Sequence, residues 1–294
     1  MSLNLRYLNN KAMLTASPFV NNGCNNDLGL YIAAIKLEEL EDLISYANYS
    51  LIKTTSDRVH VTEGYIETKT ARKALRFYFL RSAILSYHAC FDYIIQIAYF
   101  GFGFHETIKT NAEYQSELKG CRFGTGKKSF RLVFNHLLAR IDFTQEVPIQ
   151  VSAAKELYER LVKFYDQDRK SINSLANQLK HQGSLNIAEL VPHRQELASV
   201  HCSFEYDEDG NFAGFSEMDD YVPFSDIVKP NLVDINETVN MLIGYNKLIC
   251  TFVDYLQEQL GLKDLPAKCK GKDISVQRQS FTKQIIEQWL KTKN

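Results

Sequence analysis

The sequence predicts an all-α protein, an antiparallel helical bundle carrying one small inserted β-hairpin. Three observations lead there. Apolar residues recur at three- and four-residue spacing over most of the chain. The stretch 67–100 is basic at its start and apolar on nearly every face afterwards, as the central helix of a bundle must be. A period of two appears only at 199–215, around Asp209-Gly210, a pair that favours a tight hairpin turn.

The elements follow in order. Asp27 can cap a helix from Leu28 to Thr54, with Leu30, Ile35, Leu37, Leu40, Leu43, Ile44, Ala47 and Leu51 at helical spacing. The central helix, from Glu67, ends at Gly101-Phe-Gly-Phe. A short helix is expected over 112–119, then a basic glycine loop from Gly120 to Lys128, then a helix over 129–141. After Pro148 a helical region runs from 151 to 182, bent near Asp166-Gln167-Asp168, with Gly183 placed as its C-terminal stop. Beyond the hairpin, Pro230 can stand at the start of a helix over 232–260 that Gly261 closes. Asp273 can cap a last amphipathic helix reaching Lys291. The domain division is an irregular segment 1–26, a bundle 27–262 that contains the hairpin, and a linker with C-terminal helix 263–294.

Of the 294 residues, 45% are hydrophobic and 23% charged, an ordinary globular balance. A net charge of -1 argues against an overall basic, duplex-binding surface but leaves room for a local patch. The six cysteines are scattered, and Cys90 and Cys250 fall inside apolar helical patterns, where a thiol packs as a small hydrophobe. This is the usage of a reducing compartment. The first 26 residues lack the basic start and apolar core of a signal peptide, and the run Ile94–Phe104 is too short to span a bilayer. A cytoplasmic chain without a membrane partner is the expectation.

Three places carry chemistry. The helix end Asn173–Gly183 holds His181, and helical spacing back from it gives Asn177, Ser174 and Asn173, with Lys180 beside it. Histidine with lysine and asparagine suits phosphate binding and proton transfer. The neutral alternative is a solvated face on which Lys180 and His181 merely offset the helix dipole. On the central helix, Arg81, His88, Asp92 and Gln96 form one polar stripe, and charged groups buried there would need partners. The third place is the glycine loop, whose Lys127 and Lys128 would attract anions at a helix start. It fails the Walker A pattern, because Lys128 stands where a serine or threonine should follow the lysine. No histidine pair has metal-ligand spacing, so neither a metal nor a cofactor is expected.

Ser86-Tyr-His-Ala-Cys-Phe-Asp92-Tyr-Ile-Ile-Gln96 and Asn177-Gln-Leu-Lys-His181-Gln-Gly together resemble the HEPN superfamily. The resemblance implies an α-helical, usually dimeric domain of toxin, defence or RNA-processing systems, and so a homodimer. Active members use R-N-x-x-x-H as metal-independent ribonucleases. Here that window reads Ala176-Asn177-Gln178-Leu179-Lys180-His181, with Ala176 in place of the arginine and Lys180, Arg169 or Lys170 left to compensate. By this resemblance His181 is the general acid or base, Asn177 positions phosphate, Lys180 stabilises charge, and cleavage is slow or absent.

Three functions compete. The first is a HEPN-like nucleotide- or RNA-binding protein, a weak or divergent ribonuclease among them. The second is a non-catalytic helical interaction module whose partner is another protein. The third is an all-α nucleotide-metabolising enzyme using Asp92 with a divalent ion, which would require further inward acidic residues.

Overall fold

The computed structural model describes residues 27–55, 69–124, 129–181, 186–187, 202–217, 232–262 and 281–293. Its architecture is an all-α bundle. Helix α1 is Leu28–Thr55 and helix α2 is Lys69–Gly101. They lie antiparallel along most of their length, and this is the most extensive interface between elements. Asp27 caps α1 by accepting the Leu30 N–H at 3.0 Å. The two helices are tied at several levels. The Arg76 Nε–H donates to the Thr54 carbonyl at 2.8 Å, and the buried Tyr87 hydroxyl donates to the Asn48 side chain.

Helix α3 (Asn111–Gly120) opens on a capping box: the Thr110 hydroxyl accepts from the Glu113 N–H, and the Glu113 carboxylate accepts from the Thr110 N–H. Helix α4 (Phe130–Leu138) is capped by Ser129, and α5 (Ile149–Lys163) starts directly after Pro148. The expected bend at 166–168 takes a specific form. Phe164–Asp168 is a single π-helical turn, after which α6 (Lys170–His181) continues. The expected single helix is therefore two helices with one wide turn between them.

Strands β2 (Cys202–Tyr206) and β3 (Phe212–Glu217) pair antiparallel across Asp207–Gly210, and Gly210 takes the positive φ that the turn demands. A short parallel pair, β1 (Asn186–Ile187) with β4 (Leu232–Val233), was not expected. It displaces the start of the next helix. Leu232 is extended, and α7 (Ile235–Gln259) begins where the Asp234 carboxylate accepts the Glu237 N–H at 2.7 Å. Gly261 follows α7 with positive φ, as its closing role requires. The last described helix, α8 (Lys283–Lys293), follows Phe281 and Thr282, which are not helical. Residues 1–26, Lys127 and Lys128, Gly183, Pro230 and Asp273 lie outside the described residues.

The core is aromatic around the end of α2. Phe102 stacks on Phe281 at 4.5 Å, and Phe104 meets Phe130 and Phe134 edge-on. The Lys283 N–H donates to the Phe102 carbonyl, which docks α8 on the same turn. Cys90, Cys121 and Cys250 are buried free thiols. Among the described residues no helix is long and apolar enough to cross a membrane.

The start of α1 presses on the end of α2 with no space for a side chain. A β-carbon at Gly29 would lie 2.5 Å from the Phe100 carbonyl oxygen and against the His105 ring. Gly29→Ala should therefore lower the unfolding free energy by roughly 1–3 kcal/mol, read as a shifted urea midpoint at unchanged slope.

Candidate functional site

Four side chains meet where α6 crosses α2. His88, on α2, is buried at 8% exposure. Its Nε2 lies 3.0 Å from Asn173 Oδ1 and 3.4 Å from Arg169 Nη2, and its Nδ1 lies 3.4 Å from Lys180 Nζ. Arg169 Nη2 also donates to Asn173 Oδ1 at 3.1 Å. Arg169, Asn173 and Lys180 stand at positions i, i+4 and i+11, one stripe of the α6 region.

These partners fix the histidine's tautomer. Asn173 Oδ1 is an acceptor, so Nε2 carries the hydrogen and donates to it. Lys180 is a donor only, so Nδ1 keeps its lone pair and accepts from the Lys180 ammonium. His88 is thereby held neutral. Burial pushes its pKa below the ordinary histidine value; the Asn173 hydrogen bond opposes that, Lys180 and Arg169 add to it, and the Asp92 carboxylate opposes it weakly.

The π turn positions the guanidinium. Its extra residue lets the Arg169 N–H reach the Phe164 carbonyl at 3.0 Å, five residues back, and rotates Arg169 toward α2. There the guanidinium lies 4.5 Å from the Phe91 ring centroid and 4.9 Å from that of Tyr165. Phe91 in turn stacks on Phe164 at 5.3 Å. On the outer side of the turn, Arg131 holds Asp166 through two hydrogen bonds of 3.0 and 2.7 Å.

The sequence-predicted residues divide accordingly. His88, Asn173 and Lys180 come together. Asn177 and His181 are exposed on α6 and take part in none of the hydrogen bonds or ion pairs among the described residues. Ala176, at the motif's arginine position, is fully buried, so a guanidinium can enter only from elsewhere on the helix, as Arg169 does. Arg81 and Asp92 are exposed and Gln96 is half-buried, so the two charges expected to need partners are hydrated instead. Lys127 and Lys128 lie outside the described residues. Arg169 was foreseen only as one of three substitutes for the missing arginine. Counting back from Lys180 instead of His181 gives Asn173 and then Arg169, and that is the signal that finds it.

An apolar cavity of about 330 Å³ lies elsewhere, between the start of α1 and Thr110, lined by Tyr31, Ile35, Ile108 and Tyr114. None of the cluster residues lines it. Comparison of the chain with protein-family models, with curated proteins and with solved structures finds no match.

Protonating His88 would place an N–H against the Lys180 ammonium beside a second cation. Because its folded pKa is depressed, the stability tied to neutral His88 is complete above about pH 6.5 and is lost as pH falls through the lowered folded value. Denaturation measured across pH should show the wild type losing stability toward acid more steeply than His88→Gln. Parallel profiles would exclude His88 as a titrating contributor.

Proposed function

We propose that the chain binds a phosphate-bearing ligand, a nucleotide or an RNA, with the phosphate seated against Arg169 and Lys180 and with His88 as the proton-exchanging group behind it. One observation carries this reading. Two cations converge on a buried neutral histidine, and among the described residues neither has a carboxylate within 4.0 Å. Arg131, a few residues away in space, is by contrast closed by Asp166. A site that holds two like charges together without an internal anion is relieved by an external one.

The donor count supports a phosphate. Arg169 gives one of its N–H groups to Asn173, and Lys180 gives one to His88. Their remaining donors are available for phosphate oxygens, and the guanidinium fork matches two of them at once. An anion at this position would also raise the His88 pKa toward neutrality, where a histidine exchanges protons best.

The resemblance to HEPN domains extends the reading to RNA and to slow, metal-independent cleavage. In that scheme Arg169 stands in for the absent motif arginine. Asn177 and His181, exposed on α6 one and two turns beyond Asn173, flank the stripe that faces His88 and would reach a bound chain from its side. Such a protein acts in a toxin- or defence-type setting, as a homodimer or with a protein partner.

Titration with inorganic phosphate and with adenosine monophosphate at low salt tests the reading. The His88 imidazole, followed by NMR, should titrate at higher pH with ligand bound. Arg169→Ala should weaken binding roughly tenfold or more. Lys180→Ala should weaken it less and flatten its salt dependence. With RNA as substrate, His181→Ala should abolish any turnover and leave binding in place. Cleavage that survives His181→Ala puts the chemistry elsewhere. An unmoved His88 and no binding of either ligand would favour a non-catalytic interaction module.

A further inference from the structure

The other end of the α1–α2 hairpin carries a surface that the phosphate cluster does not account for. Tyr46, Tyr49 and Tyr78 are 52%, 48% and 62% exposed, the three largest aromatic exposures on these two helices. They form a connected strip. Tyr78 meets Phe79 edge-on at 5.9 Å, Phe79 meets Tyr49 at 6.4 Å, and the Ser82 hydroxyl reaches the Tyr46 hydroxyl at 3.4 Å. Lys53 lies 5.3 Å from the Tyr49 ring centroid.

Charge is segregated on the same elements. Residues 43–55 and 69–91 hold Lys53, Lys69, Arg72, Lys73, Arg76 and Arg81 and not one Asp or Glu, in a chain whose net charge is -1. The first acidic residue beyond them on α2 is Asp92. The connection 56–68, with Asp57, Glu63 and Glu67 against Arg58, lies outside the described residues. The strip also leads toward the cluster. Arg81 is exposed and stands seven residues before His88, two turns and about 10 Å along nearly the same helix face. Tyr78 is one turn further.

We infer that this strip is a stacking platform for single-stranded nucleic acid, with bases on Tyr78, Tyr49 and Tyr46 and backbone phosphates at Arg81 and Lys53. Exposed aromatic rings interleaved with unpaired cations are what a single strand needs, because every base has a π face and every linkage a charge. A duplex offers no free base faces. A second copy of this chain would bring Lys53 and Arg81 against their own counterparts. In its reach toward His88, though not in the platform itself, the inference rests on the phosphate-site reading: a strand on the tyrosines is led by Arg81 to the cluster.

Fluorescence anisotropy with labelled ten-nucleotide oligouridylate and oligothymidylate, at low salt, tests it. Wild type should bind at least one of them. Tyr49→Ala with Tyr78→Ala should lose roughly tenfold to hundredfold in oligonucleotide affinity and leave adenosine monophosphate binding unchanged. The corresponding phenylalanine pair should bind as wild type, because the ring and not the hydroxyl stacks. Unchanged oligonucleotide affinity in the alanine pair overturns the platform, even where Arg169→Ala abolishes binding. Loss in the alanine pair with no effect of Arg169→Ala keeps the platform and removes the cluster reading. No oligonucleotide binding, with a sedimenting dimer that the alanine pair converts to monomer, would make the strip a contact between copies.

Discussion

A buried imidazole needs an answer for each of its two nitrogens, and much of the α2–α6 junction follows from how His88 is answered. One nitrogen donates to Asn173, so the other must accept, and what it meets is the Lys180 ammonium. Asn173 then has an oxygen lone pair left, which Arg169 fills. The three α6-side partners stand on one helical stripe, Arg169 joined to Asn173 by an ordinary α-helical hydrogen bond, and the π turn lies immediately before them. A regular α-helical turn would carry Arg169 away from α2 by most of one residue's rotation. The wide turn is thus tied to the polar cluster and to the Phe91 and Phe164 stack beneath it.

Neighbouring charges are handled differently on the two sides of that turn. Outside, Arg131 and Asp166 neutralise each other in a half-exposed pair that contributes little to stability by itself. Inside, Arg169 spreads its charge over two aromatic faces and a carbonyl oxygen. Aromatic faces and an amide stabilise a guanidinium without cancelling its charge. The inner cation is held in place and remains positive.

The fold was legible because its signals are strong and local. Helix periodicity located α1, α2 and α3 to within about two residues, and Asp209-Gly210 located the hairpin. The parallel pairing of β1 with β4 was not legible, since two-residue strands more than forty positions apart leave no periodic trace. The start of α7 was missed for a related reason. Pro230 is a permissive start, but Asp234 is the residue whose side chain satisfies a free N–H. At the candidate site, the residue types were legible and the facing was not. His88, Asn173 and Lys180 were all visible as polar interruptions in apolar helices. Helical spacing back from Lys180 gives Asn173 and Arg169, but spacing within one helix does not say that this stripe, and not the one through His181, turns to His88.

The same limit explains why Arg81 and Asp92 looked like buried charges. A helix that packs along α1, α6 and α7 has little surface left, so an apolar pattern reads as complete burial. Yet α2 keeps one exposed strip, on which Tyr78, Arg81 and Asp92 all lie. His88 sits at the margin of that strip, against Arg169, Asn173 and Lys180. A group in that position is dry enough to stay neutral and near enough to the surface to meet a ligand. That combination separates it from Tyr87, one residue earlier, whose hydroxyl is spent inside the core on Asn48. Adjacent residues on one helix thus serve opposite ends, Tyr87 fixing the α1–α2 packing and His88 facing the cations of α6.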